Sequence, residues 1–188
     1  MVPSALNHDL IVQIADTARA MLLTMAKLIR RHFTATGYVA NKTSVLLHWH
    51  RKLKLWLPPG GHIEENEDPV QAVIREAKEE TGLDVVVLPS GGPGPFRFDE
   101  PGQITPPVTI LIEDIDDPVD GFHHHIDMIY FLAISDPGQE PLPGWQWFTR
   151  EQLNSGDDLM SPDGDLVPPP PDVLEVGVLA IDAVNNHA

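Results

Sequence analysis

The sequence has 188 residues, a hydrophobic fraction of 42% and a formal net charge of −16. This length suits one globular domain with a real core, and the acidic balance disfavours binding to long nucleic acids. Because the chain has no cysteine, disulfides, thiolate nucleophiles and zinc–thiolate sites are excluded. We find no signal-peptide pattern and no apolar run long enough to span a membrane, so we expect a cytoplasmic protein without a membrane partner.

The first part of the chain has a helical pattern of apolar residues. They recur at steps of three and four, which predicts a helix over residues 6–31. We therefore treat residues 1–32 as an N-terminal helical extension and residues 33–188 as the main domain. The extension either packs on that domain or mediates a homodimer, and the pattern leaves both arrangements open.

A series of β-like runs follows. The runs Phe33–Val39 and Thr43–Trp49 flank a turn at Asn41 and Lys42, which predicts a hairpin. A short strand over Leu55–Leu57 is ended by Pro58, Pro59, Gly60 and Gly61. Further strands are predicted at residues 84–88, 108–112, 122–134 and 145–148, with a long loop at 89–106 and a closing helix at 172–184. Because strands and helices do not alternate strictly, we predict an α/β or α+β fold around a mixed sheet.

The acidic segment Gly61–Leu83 is the most informative stretch of the sequence. Asp68 suits an N-cap, Pro69 the first helical position and Gly82 the C′ position, which predicts a helix over residues 69–81. The predicted apolar stripe of this helix consists of Val70, Val73, Ile74 and Ala77.

Three glutamates share another face of the same helix. Glu76, Glu79 and Glu80 fall at positions i, i+3 and i+4. Like charges at this spacing weaken a helix by roughly 0.2–0.5 kcal/mol per pair, and the helix dipole disfavours anions near the C-terminal end. A solvated helix face is the simpler interpretation. A hard divalent cation, which takes oxygen ligands, would instead turn the three carboxylates into a binding site.

The spacing of the segment resembles the Nudix box, GX5EX7REUXEEXGU, in which U is an aliphatic residue. The fixed positions are matched by Gly61, Glu67 and the run Arg75-Glu76-Ala77-Lys78-Glu79-Glu80-Thr81-Gly82-Leu83. The resemblance implies an α/β/α sandwich around a mixed sheet. It also implies a hydrolase that cleaves a pyrophosphate bond in a nucleoside diphosphate linked to another group, using Mg²⁺ or Mn²⁺ and a water nucleophile.

The resemblance also implies roles for single residues. The metal-binding glutamates of the family are matched by Glu76, Glu79 and Glu80. One acid of this set, or one from a later loop, acts as the base in different members. Arg75 matches the arginine that orients a catalytic glutamate, and Gly61 matches a position whose backbone carbonyl often joins the metal shell. Glu67 and Gly82 match positions that support the box.

The substrate is less well marked. The sequence lacks the subfamily markers for ADP-ribose, dinucleoside polyphosphates and coenzyme A, so no marker assigns a substrate. A small nucleotide, either a nucleoside triphosphate or a nucleotide sugar, is favoured over capped RNA because the acidic balance disfavours a long RNA partner. Glu100 in the long loop and His123 and His125 in a predicted strand are candidate substrate contacts. The two histidines share one strand face, and they either line the cleft, bind a borderline metal or serve the structure. The alternative function is a Nudix-like module that senses a nucleotide without cutting it.

Overall fold

The structure is a computed structural model that describes residues 29–90 and 100–187. The strands in these ranges are β1 Arg30–Ala40, β2 Ser44–His50, β3 Leu55–Leu57, β4 Gly60–His62, β5 Val85–Val87, β6 Thr109–Asp117, β7 Gly121–Ile134, β8 Trp145–Thr149, β9 Leu159–Met160 and β10 Leu166–Val167. The helices are α1 Pro69–Thr81, α2 Arg150–Ser155 and α3 Pro171–His187.

Eight of the strands form one mixed sheet. Its main order is β3-β2-β1-β7-β5, with β4 paired to β1, β6 to β7 and β8 to β2. The pair β1–β7 is parallel, from Arg30 opposite His123 to Ala40 opposite Ala133, and the other pairs are antiparallel. The prediction of a mixed sheet is confirmed.

Helices cover both faces of this sheet. Alternate residues of β1 point to opposite sides, so Val39 packs in a core with Val73 of α1, whereas Tyr38 packs in a second core with Ile181 of α3. The two cores give the predicted α/β/α sandwich. None of the helices in the described ranges is both long and apolar enough to cross a membrane.

The helix α1 has the predicted ends. The Asp68 side chain accepts hydrogen bonds from the N–H groups of Val70 and Gln71, and the Gln71 side chain accepts one from the Asp68 N–H, which completes a capping box. Gly82 closes the helix in the left-handed conformation with φ 75°. The prediction of a helix over residues 69–81 is confirmed.

The apolar stripe predicted for α1 is partly wrong. Val73 and Ala77 are buried, but Ile74 is 37% exposed and Ala72 is buried. The reason is the close approach of the helix to the sheet, which needs small residues. A Cβ on Gly37 of β1 would lie 2.8 Å from Cγ2 of Val73. The small Ala72 therefore packs against the sheet, whereas the larger Ile74 is partly exposed.

The predicted helix over residues 6–31 is wrong at its end. Arg30 and Arg31 belong to β1, because pairing with β7 extends to Arg30 opposite His123 and backbone hydrogen bonding outweighs the local apolar pattern. Residues 6–28 lie outside the described residues. The predicted end of the strand Leu55–Leu57 is confirmed, but Gly60 and Gly61 belong to a separate strand, β4, which pairs with β1 and was not predicted.

Besides β4, three small elements were not predicted. The helix α2 is only 6 residues long, and β9 and β10 have 2 residues each, too short for a periodic pattern. A signal for α2 does exist: Thr149 and Gln152 form a capping box at its start. The hairpin at Asn41 and the strands β3, β5 and β8 agree with prediction.

Candidate metal and pyrophosphate site

One arginine connects the second half of α1 to β4 and to the loop between them. Arg75 donates from Nε to Glu67 at 2.6 Å, from Nη2 to Glu67 at 2.9 Å and to the carbonyl of His62 at 3.1 Å. Its Nη1 donates to Glu76 at 2.8 Å and to Glu79 at 3.2 Å. These contacts use the five N–H groups of the guanidinium, so the relative positions of three carboxylates are set by one side chain.

Glu67 connects this arginine to the loop. Its Oε2 also accepts the backbone N–H of Glu64 at 3.3 Å, so the loop after β4 is held against α1. The Arg75 guanidinium holds the pKa of Glu67 below its ordinary value. The carboxylate therefore stays ionised and keeps its bidentate bond to Arg75.

Gly61 lies against the carboxylate of Glu76. A Cβ at this position would be 2.3 Å from Glu76 Oε1 and 3.0 Å from Oε2. The glycine thus leaves room for the carboxylate beside the β4 backbone. A strand and a helix thus bring the Gly61 backbone and the Glu76 carboxylate into close approach.

Glu80 differs in its bonding partners from Glu76 and Glu79 on the same helix. Its Oε2 accepts the N–H of Gly60 at 3.2 Å, and no Lys or Arg in the described ranges forms an ion pair with it. Burial raises the pKa of Glu80, and the charges of Glu76 and Glu79 raise it further. This half-buried carboxylate faces the same space as Gly60 and Gly61 and has no positive partner among the described side chains.

A cavity of about 360 Å³ opens beside these residues, on the face of the sheet that carries α3. It is lined by acids from several elements, which are Glu80, Glu113, Asp117, Asp127 and Asp172, together with the cation Lys52. Burial, followed by the charges of Asp127 and Asp172, raises the pKa of Glu113 to about 7. A cavity with this balance repels a phosphate unless cations neutralise the acids.

Asp127 is the most deeply placed of these acids, with an exposed fraction of 3%. Thr34 on β1 donates a hydrogen bond to its Oδ1 at 2.8 Å. Burial raises the pKa of Asp127, and the threonine hydrogen bonds oppose that shift. A buried, hydrogen-bonded acid in the cavity wall offers a polar contact to a bound molecule.

The structure places the candidate substrate contacts at different distances from the cavity. His123 and His125 share one face of β7, as predicted, and their Nε2 atoms are 3.3 Å apart. His125 lines the cavity, whereas His123 is buried beside it. His124 points to the other face, where its Nε2 is 3.2 Å from Asp114. Glu100 is exposed and does not line the cavity.

Several residues at this site were not predicted from the sequence. They are His32, His62, Lys52, Glu113, Asp127 and Asp172. Strand pairing places His32, His62, Glu113 and Asp127, whereas Lys52 lies in the turn between β2 and β3 and Asp172 lies on α3. The single available signal was the alternation in β7, where Asp127 follows His123 and His125 on one face.

Comparison with known proteins agrees with this geometry. A sequence model of the NUDIX domain matches residues 30–169, which is more than half of the chain. The chain belongs to the NUDIX family. A NUDIX hydrolase from Clostridium perfringens has a similar fold, with a TM-score of 0.62 and 29% identity, over 82% of this chain and 98% of that one.

Two curated relatives match a shorter part of this NUDIX chain. An "8-oxo-dGTP diphosphatase" of Proteus vulgaris is 41% identical over 56 residues, covering 27% of this chain and 50% of the relative. An "RNA pyrophosphohydrolase" of Rhizobium meliloti (strain 1021) is 41% identical over 51 residues, covering 27% of this chain and 30% of the relative. The chain therefore matches half or less of each relative.

NUDIX hydrolases generally use divalent metal ions, and the residues of this chain fit such an ion. The donors at Gly61, Glu76, Glu79 and Glu80 are oxygens, which Mg²⁺ and Mn²⁺ prefer. The absent Cβ of Gly61 leaves Glu76 against the backbone, and Glu80 has no cationic side chain beside it in the described ranges.

Proposed function

We propose that the chain is a Mg²⁺- or Mn²⁺-dependent pyrophosphohydrolase that acts on a small nucleotide, either a nucleoside triphosphate or a nucleotide sugar. Family membership supports the reaction class, and the names of the two curated relatives support a pyrophosphate bond as the target. The observation that carries the proposal is Glu80. It is a half-buried carboxylate at the mouth of an acidic cavity, beside two glutamates that Arg75 already holds.

Glu76, Glu79, Glu80 and the carbonyl of Gly61 hold the ion in this proposal. When bound, the ion neutralises negative charge on the pyrophosphate and makes water more acidic. Arg75 keeps the Glu76 carboxylate in one orientation through the bond of 2.8 Å, and Glu67 keeps Arg75 in place. Gly82 ends α1 two residues after Glu80 and so fixes where the helix face stops.

The size and lining of the cavity support a small substrate. Its volume of about 360 Å³ suits part of a nucleotide, and its walls combine apolar residues such as Leu57 and Ile129 with the polar groups of Asp127 and His125. Lys52 in the cavity wall is paired with Asp117 at 2.7 Å, so we assign the neutralisation of a phosphate to the metal ion. The net charge of −16 makes a long nucleic acid a poor partner.

A panel of nucleotides tests the proposal. Nucleoside triphosphates, including 8-oxo-dGTP, nucleotide sugars and a 5′-triphosphorylated RNA are incubated with Mg²⁺ or Mn²⁺, and the products are identified by ³¹P NMR. We expect cleavage of one class at a pyrophosphate bond. Glu79→Gln and Glu80→Gln each lower kcat by about 100-fold or more, because charge stabilisation by the metal is worth several kcal/mol.

Glu65→Gln is the matched control, since Glu65 is an exposed acid of the same segment. It keeps the wild-type rate in this proposal. Nucleotide binding without turnover across the panel would support a sensing module instead. Turnover that survives both Glu79→Gln and Glu80→Gln would place the chemistry elsewhere.

A further inference from the structure

Four imidazoles gather beside the carboxylates of α1. We call His32 on β1, His62 on β4, and His123 and His125 on β7 the histidine cluster. His32 stands opposite His125 in the parallel register of β1 and β7, and His62 stands opposite Thr34 in the β1–β4 pair. Three strands therefore deliver these side chains to one place.

The spacing of the nitrogens is that of ligands around one ion. One nitrogen from each of His32, His123 and His125 lies within 4.8 Å of the other two. The Nε2 atoms of His123 and His125 are 3.3 Å apart, and His32 Nδ1 is 3.2 Å from His62 Nε2. Two nitrogens bound tetrahedrally to Zn²⁺ at about 2.0–2.1 Å are themselves about 3.3 Å apart.

The second nitrogen of His123 has a hydrogen-bond partner that orients the ring. His123 Nδ1 donates to the carbonyl of Gly121 at 2.8 Å, which leaves the lone pair on Nε2. His125 Nδ1 lies 4.0 Å from a carboxylate oxygen of Glu113, and His32 Nδ1 contacts His62. Carbonyl or carboxylate partners behind the ligand rings are typical of histidine metal sites.

Two of the rings, His32 and His125, are held in the neutral form. Burial, followed by the three neighbouring imidazoles, lowers the pKa of His125 to about 4, and burial and His123 lower the pKa of His32. Metal ions bind the neutral form of histidine. Glu113 and Asp127 lie on the same side of the sheet and line the cavity together with His125.

We propose that His32, His123 and His125 bind one borderline divalent transition-metal ion, Zn²⁺ by preference, with His62 positioned against His32. Imidazole ligands suit Zn²⁺, whereas Mg²⁺ prefers oxygen, so this site is separate in chemistry from the carboxylates of α1. The ion links the start of β1 to the start of β7. It also lies beside His62, whose carbonyl accepts a hydrogen bond from Arg75 at 3.1 Å.

Zinc titration of the full chain in excess Mg²⁺ tests this site, because Mg²⁺ occupies the oxygen ligands. Calorimetry is expected to show one Zn²⁺ bound per chain. His123→Ala and His32→Ala each weaken this binding by about 100-fold or more. Co²⁺ added in place of Zn²⁺ gives the visible absorption of a tetrahedral ion, and the band is lost in both variants.

His124→Ala is the matched control, since His124 lies between two ligands in sequence but points to the opposite strand face. It keeps the wild-type affinity, and so does Glu80→Gln. His32 is half-buried near the edge of the cluster, so His32→Ala decides the question if the buried His123→Ala does not fold. Absence of Zn²⁺ binding in the wild type would overturn the proposal. The proposal would also be overturned if Glu80→Gln abolished Zn²⁺ binding while His32→Ala retained it.

Discussion

Arg75 shows how one side chain can order a charged segment. Alone, the glutamates at i, i+3 and i+4 of α1 would repel each other. Arg75 contacts Glu76, Glu79 and the more distant Glu67. Of the three glutamates on this face of α1, Glu80 alone has no cationic partner among the described side chains. The fork geometry of the guanidinium lets Arg75 bind three carboxylates at once, and lysine has too few N–H groups to do the same.

Gly61→Ala tests the fit between β4 and Glu76. The new Cβ would meet the end of a flexible side chain, so Glu76 moves while the fold is kept. We expect kcat to fall about 100-fold, as for other small misplacements of reacting groups. The melting temperature should change by less than about 4 °C.

Gly102→Ala is the control for this variant, because a Cβ there would meet nothing within 4 Å. Steady-state kinetics and thermal unfolding of the two variants separate displacement of Glu76 from general damage. An active Gly61→Ala enzyme would show that Glu76 does not need its place beside the backbone.

Asp117 gives the protein a pH-dependent contribution to stability. Its carboxylate accepts Lys52 Nζ at 2.7 Å and the N–H groups of Val119 and Asp120 at 2.7 and 3.1 Å. The hydrogen bond from Lys52, followed by the backbone bonds, holds the pKa of Asp117 well below its ordinary value. Such a group stabilises the fold above its ordinary pKa, and the contribution is lost as the pH falls through the lowered pKa.

We therefore expect the stability of the wild type to fall more steeply than that of Asp117→Asn between about pH 5 and pH 2. Urea unfolding at several pH values measures the difference. Asp116→Asn, at an exposed neighbour on the same strand, should follow the wild type. Parallel curves for wild type and Asp117→Asn would refute the assignment.

At the scale of elements, α1 is specified by local signals. Its N-cap, capping box and C-terminal glycine are all readable in the sequence, and all occur in the structure. The β1–β2 hairpin is similar, because Asn41 Oδ1 accepts the N–H groups of Thr43 and Ser44. The start of β1 could not be predicted in this way, since its partner is the distant strand β7.

The N-cap of α1 offers a test at this scale. Asp68→Ala removes both hydrogen bonds to the first turn, and we expect a loss of about 1 kcal/mol in the free energy of unfolding. Asp68→Asn keeps an acceptor oxygen and should lose much less. Urea denaturation of the three proteins gives the values. Equal losses in the two variants would show that the charge, and not the cap, matters.

At the scale of the whole molecule, the parallel pair β1–β7 assembles the site. It brings Thr34 to Asp127 and His32 to His125, although the partners are far apart in sequence. The box could be located from sequence because it lies in one continuous segment. The cavity wall and the histidine cluster could not, because they depend on which strands pair and in what register.

In the proposed reaction, hydrolysis depends on a divalent ion held by the carboxylates of α1. The most direct test is the initial rate of cleavage of the best nucleotide as Mg²⁺ is added back to EDTA-treated protein. We predict no turnover without Mg²⁺, a saturating increase with Mg²⁺ for the wild type, and a loss of about 100-fold or more in maximal rate for Glu80→Gln. Full activity in EDTA, or the same Mg²⁺ curve for both proteins, would contradict it.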